Sequence, residues 1–138
     1  MFEFKKSQSM KVNVKKEQEC QISRKTKIEN ALKEDNVIAF DIYYNNEIIG
    51  FAMFRKFNDN TLFLWNYAID SKYQNKNLGT KALKELIDIL KNDHKKFVTT
   101  YKQGNSHAKH IYEKLGFTET VVIDEPDCKE VNMEMIIN

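Results

Sequence analysis

A glycine at the start of an amphipathic helix is the first feature of the sequence that could do chemistry. Residues 73–83 read YQNKNLGTKAL, and Gly79 is one of only four glycines in the chain. The first turn of a helix carries unpaired backbone N–H groups and partial positive charge. A glycine lets that backbone approach a phosphate, and Lys72, Lys76 and Lys81 surround the turn. The segment predicts a phosphate site, but an ordinary helix start, with a glycine costing about 1 kcal/mol, fits it equally well.

A tyrosine on a second amphipathic helix is the other residue that could act chemically. Residues 105–117 read NSHAKHIYEKLGF, in which Asn105 suits a helix N-cap and Gly116 suits the residue that ends the helix. Tyr112 shares the apolar face of this helix with Ala108. Its phenol can donate a proton to a leaving group. The helical pattern alone favours a packed core tyrosine, so both interpretations stay open.

Hydrophobic periodicity predicts the elements that position these residues. Strands are predicted at residues 2–4, 37–44, 47–57, 61–69, 95–101, 117–123 and 130–137. Helices are predicted near residues 25–34, from residue 77 to residue 90, and over residues 105–116. Residues 7–22 fit either a helix or a loop. The order β–α–β–β–β–α–β–α–β–β predicts one mixed α/β (α+β) domain that covers residues 1–138.

Three short signals predict local backbone geometry. Asn45-Asn46 suits a two-residue hairpin turn, because asparagine tolerates positive φ. Gly50 inside a strand predicts a bulge or a close approach of another chain segment. Thr26 and Glu29 fit a capping box at the start of the first helix.

Composition narrows the class of protein. The net charge of +2, from 22 basic and 20 acidic residues, does not favour nucleic-acid binding. Cys20 and Cys128 lack the spacing of metal ligands, so no metal site is predicted. No apolar run approaches the roughly 18 residues of a membrane span, and no signal peptide is recognised at residues 1–9. We therefore expect a cytoplasmic protein without membrane or nucleic-acid partners.

The two helix patterns together resemble the signatures of the GNAT superfamily of acyl-CoA N-acyltransferases. The first signature, Q/R-x-x-G-x-G/A, reads here Gln74-Asn75-Lys76-Asn77-Leu78-Gly79. The second reads Asn105, Ala108, Tyr112 and Gly116-Phe117, and the order of elements from residue 25 onward also matches. Asn77 stands where the family has its first glycine. Because asparagine tolerates positive φ, the loop can keep its shape, although weaker cofactor binding is also conceivable.

The resemblance implies a fold, a donor and a set of site residues. The fold is a mostly antiparallel sheet flanked by helices, with a splayed central strand pair. The donor is acetyl-CoA, and Tyr112 is implied as the general acid beside the thioester sulfur. The residues implied in acetyl-CoA binding are Tyr67, Ala68, Ile69, Gln74, Asn75, Lys76, Asn77, Leu78, Gly79, Thr80 and Asn105. Lys109 and Lys114 are weaker candidates for the 3′-phosphate.

The acceptor implied by the resemblance is a small-molecule amine, which must lose a proton. Candidate bases on or beside strands are Asp41, Glu47 and Glu134, and the sequence does not choose among them. The histidines at positions 94, 107 and 110 are expected to be exposed rather than catalytic. A homodimer is expected from family resemblance alone.

Within this superfamily, three short segments of the sequence most closely resemble the small spermine/spermidine (diamine) acetyltransferases. They lie at VKKEQECQI (14–22), at EIIGFAMF (47–54), and at the acidic turn before the EVNMEM strand. Acidic residues near the acceptor would attract a polyamine, although the acids of that turn can equally serve only solubility. Amino acids, antibiotics and protein N-termini stay open as acceptors. The departure at Asn77 also leaves open a catalytically silent CoA-binding sensor.

Overall fold

Seven strands in one sheet and three helices make up the part of the chain that the computed structural model describes, residues 1–15, 23–74, 76–124 and 129–137. The strands are β1 (Phe2–Lys6), β2 (Val37–Tyr44), β3 (Glu47–Asn58), β4 (Thr61–Ile69), β5 (Lys96–Lys102), β6 (Thr118–Asp124) and β7 (Lys129–Ile136). The helices are α1 (Lys25–Ala31), α2 (Leu78–Leu90) and α3 (Ser106–Leu115). A 3-10 turn at Ser71–Tyr73 precedes α2.

The predicted order of elements is confirmed. The sheet order is β1-β2-β3-β4-β5-β7-β6, and every neighbouring pair is antiparallel except β4 and β5. Residues 7–15 form neither helix nor strand, and the rest of the ambiguous segment, residues 16–22, lies outside the described residues. None of the helices in the described ranges is long and apolar enough to cross a membrane.

Two of the three local predictions are confirmed and one is wrong. Asn45 and Asn46 adopt φ values of 50° and 72° in the β2–β3 turn. A Cβ on Gly50 would lie 2.9 Å from the carbonyl oxygen of Ala68, so the glycine permits a close approach of β4. The capping box is wrong because Arg24, in extended backbone, is the N-cap of α1 and makes no side-chain cap, which places Thr26 already inside the helix.

The sheet separates two apolar clusters, because successive side chains of a strand point to opposite faces. Ala52 and Phe54 of β3 pack in the cluster that α2 covers, whereas Phe51 and Met53 pack with Ile28 of α1.

The predicted exposure of His94 is wrong. Its ring is 9% exposed, and Nδ1 lies 3.1 Å from the carbonyl oxygen of Leu90 after α2.

The parallel strands β4 and β5 diverge halfway along their length. They pair from Thr61 and Lys96 to Leu64 and Thr99, and the described pairing stops there. On its other side β4 stays paired with β3 across an irregularity at Trp65, since Phe54 pairs with Leu64 and Met53 with Asn66. The predicted splayed central pair is therefore confirmed, and a cavity opens between the two strands.

Candidate functional site

A cavity of about 760 Å³ occupies the space where β4 and β5 separate. One side is formed by the end of β4, the loop and first turn of α2, and α3; we call it the β4–α2–α3 wall. The other is formed by the end of β5, the start of β7, and α1 with the residues before it; we call it the β5–β7–α1 wall. The cavity therefore reaches both faces of the sheet.

Hydrogen bonds join the end of β4 to the segment that leads into α2. The Tyr67 hydroxyl donates to the Gly79 carbonyl at 2.6 Å, and Gln74 Nε2 donates to the Ile69 carbonyl at 2.9 Å. The side chain of Asp70 accepts from the backbone N–H of Lys72, which closes the turn after the strand. The open edge of β4 and the start of α2 are thus held as one unit.

The loop before α2 has the backbone conformation that the sequence predicted. Asn77 adopts φ 60° and ψ 11°, in the left-handed region that asparagine tolerates better than most residues. Helix α2 then begins at Leu78 without an acidic residue in its first turn. A Cβ on Gly79 would lie 3.2 Å from Cγ1 of Ile69. The glycine therefore also permits close packing of α2 on β4, a reason the sequence did not reveal.

Helix α3 presents its first turn and its apolar face to the same cavity. Asn105 is the N-cap, since its Oδ1 accepts from the Ala108 N–H at 3.2 Å, and Gly116 ends the helix with φ 106°. Both predictions about these helix ends are confirmed. Tyr112 is half-buried with its ring 5.7 Å from that of Phe117, and it lines the cavity one helical turn beyond Ala108.

Two phenols and one hydroxyl meet near the point where the strands diverge. Burial raises the pKa of Tyr112, and a hydrogen bond with Thr99 opposes part of that rise. Thr99 is 1% exposed and donates its Oγ1 proton to the Leu64 carbonyl at 3.1 Å. Burial, and secondarily the proximity of Tyr112, also raises the pKa of Tyr67. Both phenols are therefore protonated at neutral pH.

Most of the residues predicted for acetyl-CoA binding meet around the cavity. Those that line it are Tyr67, Ala68, Ile69, Gln74, Asn77, Leu78, Gly79, Thr80 and Asn105, together with Tyr112. The Lys76 ammonium instead lies 5.8 Å from the centre of the Tyr73 ring, and Asn75 lies outside the described residues. Lys109 pairs with Glu119 at 3.4 Å, whereas Lys114 borders a separate shallow groove beside Lys84.

None of the three predicted candidate bases lines the cavity. The Asp41 carboxylate pairs with Lys11 at 2.7 Å, and the Glu134 carboxylate pairs with Lys96 at 3.1 Å. Glu47 instead accepts a hydrogen bond from the hydroxyl of Tyr73, a residue that lines the cavity.

Sequence reasoning missed three residues that line the cavity, two of them in the β5–β7–α1 wall and one on β4. Glu130 is the one acidic side chain that lines the cavity among the described residues. Lys27 and Trp65 also line it, with the Lys27 ammonium 5.9 Å from the Trp65 ring centre, and Arg55 lies 4.5 Å from the same ring. These residues are far apart in sequence, and no local pattern could have grouped them.

A metal site finds no support in the described ranges. They contain no group of three or more His, Cys, Asp and Glu side chains that could hold an ion. The polar residues that line the cavity instead carry hydroxyls, amides, one imidazole and single charged groups.

The diverging parallel pair, the irregular strand and the left-handed loop before a helix define the class of protein that the sequence signatures indicated. A model of the acetyltransferase (GNAT) family matches residues 6–117, which is most of the sequence. The chain belongs to this family.

Curated relatives share part of their sequence with this chain. Spermine/spermidine N(1)-acetyltransferase of Bacillus subtilis is 35% identical over 85 residues, which cover 55% of this chain and 56% of the relative. [Ribosomal protein bS18]-alanine N-acetyltransferase of Escherichia coli is 32% identical over 92 residues, 64% of this chain and 60% of the relative. The chain thus matches little more than half the length of these relatives.

Solved structures share the fold over nearly the whole chain. A GNAT family acetyltransferase from Elizabethkingia anophelis with acetyl-CoA bound superposes with a TM-score of 0.75 at 21% identity, covering 99% of this chain and 98% of that one. The ribosomal-protein-S18-alanine N-acetyltransferase from Escherichia coli gives 0.76 at 20% identity, covering 100% and 95%. The predicted fold class is confirmed.

Proposed function

We propose that the chain is an N-acetyltransferase that moves the acetyl group of acetyl-CoA directly to a primary amine while both are bound in the cavity. The observation that carries this proposal is the divergence of β4 from β5 beyond Leu64 and Thr99, beside the start of α2. An extended ligand can add to such an open edge as a further strand, and its anionic end can meet helix N–H groups. Acetyl-CoA has both parts, an amide-containing pantetheine arm and a diphosphate.

The β4–α2–α3 wall would hold the donor. The backbone of Tyr67, Ala68 and Ile69 would face the pantetheine arm, although Gln74 already occupies the Ile69 carbonyl. The diphosphate would meet backbone N–H groups along residues 74–80. Residues 71–84 contain no acidic side chain, so no carboxylate there opposes the anion. Asn105 uses Oδ1 as a helix cap, which leaves its amide N–H groups available to the arm.

Tyr112 would act as the general acid. As the amine nitrogen bonds to the acetyl carbon, the carbon–sulfur bond breaks and the sulfur leaves as a thiolate. The phenol of Tyr112 can donate its proton to that sulfur, which leaves a phenolate beside Thr99. Because burial raises its pKa, the phenol carries this proton throughout the neutral pH range.

The acceptor class is a primary amine, and a polyamine is the first acceptor to test. Support for a polyamine comes from the 35% identity to the Bacillus subtilis relative, whose name specifies spermine and spermidine. The Escherichia coli relative, named for the alanine of a ribosomal protein, supports a protein N-terminus as the second candidate. The described cavity residues include Lys27, Lys102 and only one acid, Glu130, so their charge gives a polycation little added attraction.

Binding and turnover of acetyl-CoA test this proposal in two stages. Titration calorimetry at millimolar acetyl-CoA should register binding, and the melting temperature should rise because the ligand binds the folded state. Thiol release should then depend on an added amine from a panel of spermidine, an aminoglycoside, free amino acids and a peptide with N-terminal alanine. Binding without thiol release would indicate a CoA sensor, and absence of both would refute the proposal.

We also infer that residues 1–138 act as a single acetyltransferase domain in the cytoplasm, as the order of elements and the composition indicated, and that the chain forms a homodimer, as the resemblance implied. Light scattering during size-exclusion chromatography measures the mass of the particle in solution, and a mass near 16.3 kDa, that of one chain, would contradict the dimer.

A further inference from the structure

We infer that Glu130 is the carboxylate that binds the protonated amine of the acceptor and takes the proton that this nitrogen must lose. The inference rests on the proposed acetyl transfer, and it adds the residue that selects a cationic nitrogen at the reacting end of the acceptor. It is based on two observations: Glu130 lines the cavity, and the other acids considered for this role are paired with other side chains.

Glu130 lies on the face of the sheet opposite to α2. On β7 the alternate residues Val131 and Met133 are buried in the cluster that α2 covers. Because successive side chains of a strand point to opposite faces, Glu130, the residue before Val131, points to the other face. Its register partner on β5 is Lys102, and both side chains line the cavity. An amine that approaches from this face reaches the gap between β4 and β5 from the side opposite Tyr112.

The other acids considered for this role are already engaged elsewhere. Asp41 is held by Lys11, Glu47 by the Tyr73 hydroxyl and Glu134 by Lys96. Glu119 accepts a hydrogen bond from Tyr101 at 2.7 Å and also pairs with Lys109. Of the carboxylates in the described part of the chain, Glu130 is the one that lines the cavity.

Polar oxygens accompany Glu130 on the same face. Thr100 lines the cavity, and its register partner Asn132 lies two residues beyond Glu130 on β7. The Oδ1 atom of Asn132 is buried, and no described residue hydrogen-bonds to it. An ammonium group has three N–H donors, so a carboxylate beside hydroxyl and amide oxygens matches its needs better than a carboxylate alone.

The proton balance of the reaction requires such a group. The amine binds as a cation, because a lysine-like amine with a pKa of about 10.4 is mostly protonated at neutral pH. Its proton passes to Glu130, the freed lone pair attacks the acetyl carbon, and Tyr112 protonates the departing sulfur. The nitrogen of the new amide then loses its second surplus proton, which restores the Tyr112 phenol by way of solvent. Glu130 releases the first proton to solvent, so that one proton is released for each acetyl group transferred.

The basic side chains that line the cavity with Glu130 limit what else can bind there. Lys102 lies opposite on β5, Lys27 on α1 and His107 on α3, and all three line the cavity. On β6 the register partner of Glu130 is the uncharged Ile123. One carboxylate among these groups suits one ammonium group, so we expect a single cationic nitrogen to be recognised at this position.

The variant Glu130→Gln tests the inference, and Glu134→Gln is the matched control. Both changes remove one carboxylate from the same face of β7, but Glu134 pairs with Lys96 and does not line the cavity. Initial rates should be measured with the amine of the panel that gives the highest kcat/KM. We expect Glu130→Gln to lower kcat/KM for the amine by about tenfold to a hundredfold, the effect of losing one hydrogen bond to a charged group. Glu130→Asp should recover part of this loss.

Calorimetry with acetyl-CoA separates this inference from the proposed function. The Kd for acetyl-CoA and the melting temperature should stay the same in Glu130→Gln, because the carboxylate does not belong to the β4–α2–α3 wall. Equal amine kcat/KM in Glu130→Gln and Glu134→Gln would overturn the role of Glu130 while leaving acetyl transfer intact. A wild-type chain that neither binds acetyl-CoA nor releases thiol with any amine would overturn both.

Discussion

The two walls of the cavity are built in different ways. In the β4–α2–α3 wall, short hydrogen bonds connect neighbouring segments, such as Tyr67 to the Gly79 carbonyl at 2.6 Å. In the β5–β7–α1 wall, charged side chains stand at longer range, such as Lys27 at 5.9 Å from the Trp65 ring. The first wall is largely backbone fixed by packing, whereas the second consists of side chains projecting from separate elements.

This difference separates two kinds of recognition. A ligand that binds backbone groups is constrained by the path of the chain, so changes of side chain matter little unless they alter that path. A ligand that binds projecting side chains can be exchanged for another by single substitutions, because the sheet beneath them is undisturbed. The proposed donor site has the first character, and the proposed acceptor site has the second.

The largest effect is expected where the two walls meet, at Tyr112. Replacing Tyr112 with phenylalanine removes the proton donor but keeps the ring that packs on Phe117. We expect kcat to fall by about a hundredfold or more, which is typical for loss of a general acid. Acetyl-CoA affinity, measured by calorimetry, should be unchanged. An unaltered kcat would remove Tyr112 from this role.

Asn77 tests whether the donor wall depends on the path of the backbone. Leucine in the left-handed conformation costs about 1–2 kcal/mol, so Asn77→Leu should weaken acetyl-CoA binding by roughly fivefold or more. Asn77→Gly should bind at least as well as wild type, because glycine adopts this conformation freely. Asn46→Leu provides the control, since Asn46 has φ 72° in the β2–β3 turn and does not line the cavity.

The control separates strain from recognition. Asn46→Leu should lower the melting temperature as Asn77→Leu does, but it should leave the Kd for acetyl-CoA unchanged. If Asn77→Leu also leaves that Kd unchanged, the conformation of the loop does not govern donor binding.

Thr99 tests the connection between the diverging strands and the acid. Because its hydrogen bond lowers the pKa of Tyr112, Thr99→Val should raise that pKa further. The decline of kcat at high pH, where the phenol ionises, should therefore move to higher pH. At neutral pH kcat should fall about threefold to tenfold, because Thr99→Val removes the hydroxyl proton that can turn from the Leu64 carbonyl to the phenolate left after proton transfer.

Thr99→Ser keeps the hydroxyl and should behave like wild type in the pH profile. A purely structural role through the Leu64 carbonyl predicts a different result, namely a lower melting temperature in Thr99→Val with no shift of the alkaline limb. A shift of the alkaline limb to higher pH, or its absence, therefore decides between the two roles.

The smallest effect is expected at Lys27, which is exposed and acts at long range. Lys27→Gln should lower the KM for spermidine by about twofold to threefold, because an exposed charge contributes only about 0.2–1 kcal/mol. Lys33 lies two residues after the end of α1. It is exposed and does not line the cavity, so Lys33→Gln is the control. A higher KM for spermidine in Lys27→Gln would contradict repulsion between Lys27 and a cationic acceptor.

Sequence reasoning predicted the donor wall far better than the acceptor wall. The left-handed Asn77, the cap at Asn105 and the end of α3 at Gly116 were all predicted, because each depends on a few neighbouring residues. Glu130 could not be identified in the same way. It was one acid among several near the chain's last turn, and only the pairing of β7 with β5 brings it to the cavity.

Two predictions about individual residues are wrong. Thr26 and Glu29 have the spacing of a capping box, but Arg24, in extended backbone, is the N-cap, so α1 begins at Lys25 and Thr26 lies inside it. His94 was predicted to be exposed, yet packing after α2 leaves it 9% exposed with a hydrogen bond to the Leu90 carbonyl. At His94, burial in the folded chain outweighed the exposure that its place after a helix had indicated.

The sequence by itself determined the order of the elements, the family signatures and the backbone conformations at turns and helix ends. These depend on periodicity and on φ, ψ preferences, which act over a few residues. Only the tertiary structure decided where β4 leaves β5, that Thr99 contacts Tyr112, and which carboxylate reaches the cavity. Those relations join residues far apart along the chain, and they exist only after the sheet has paired and its two faces have been covered.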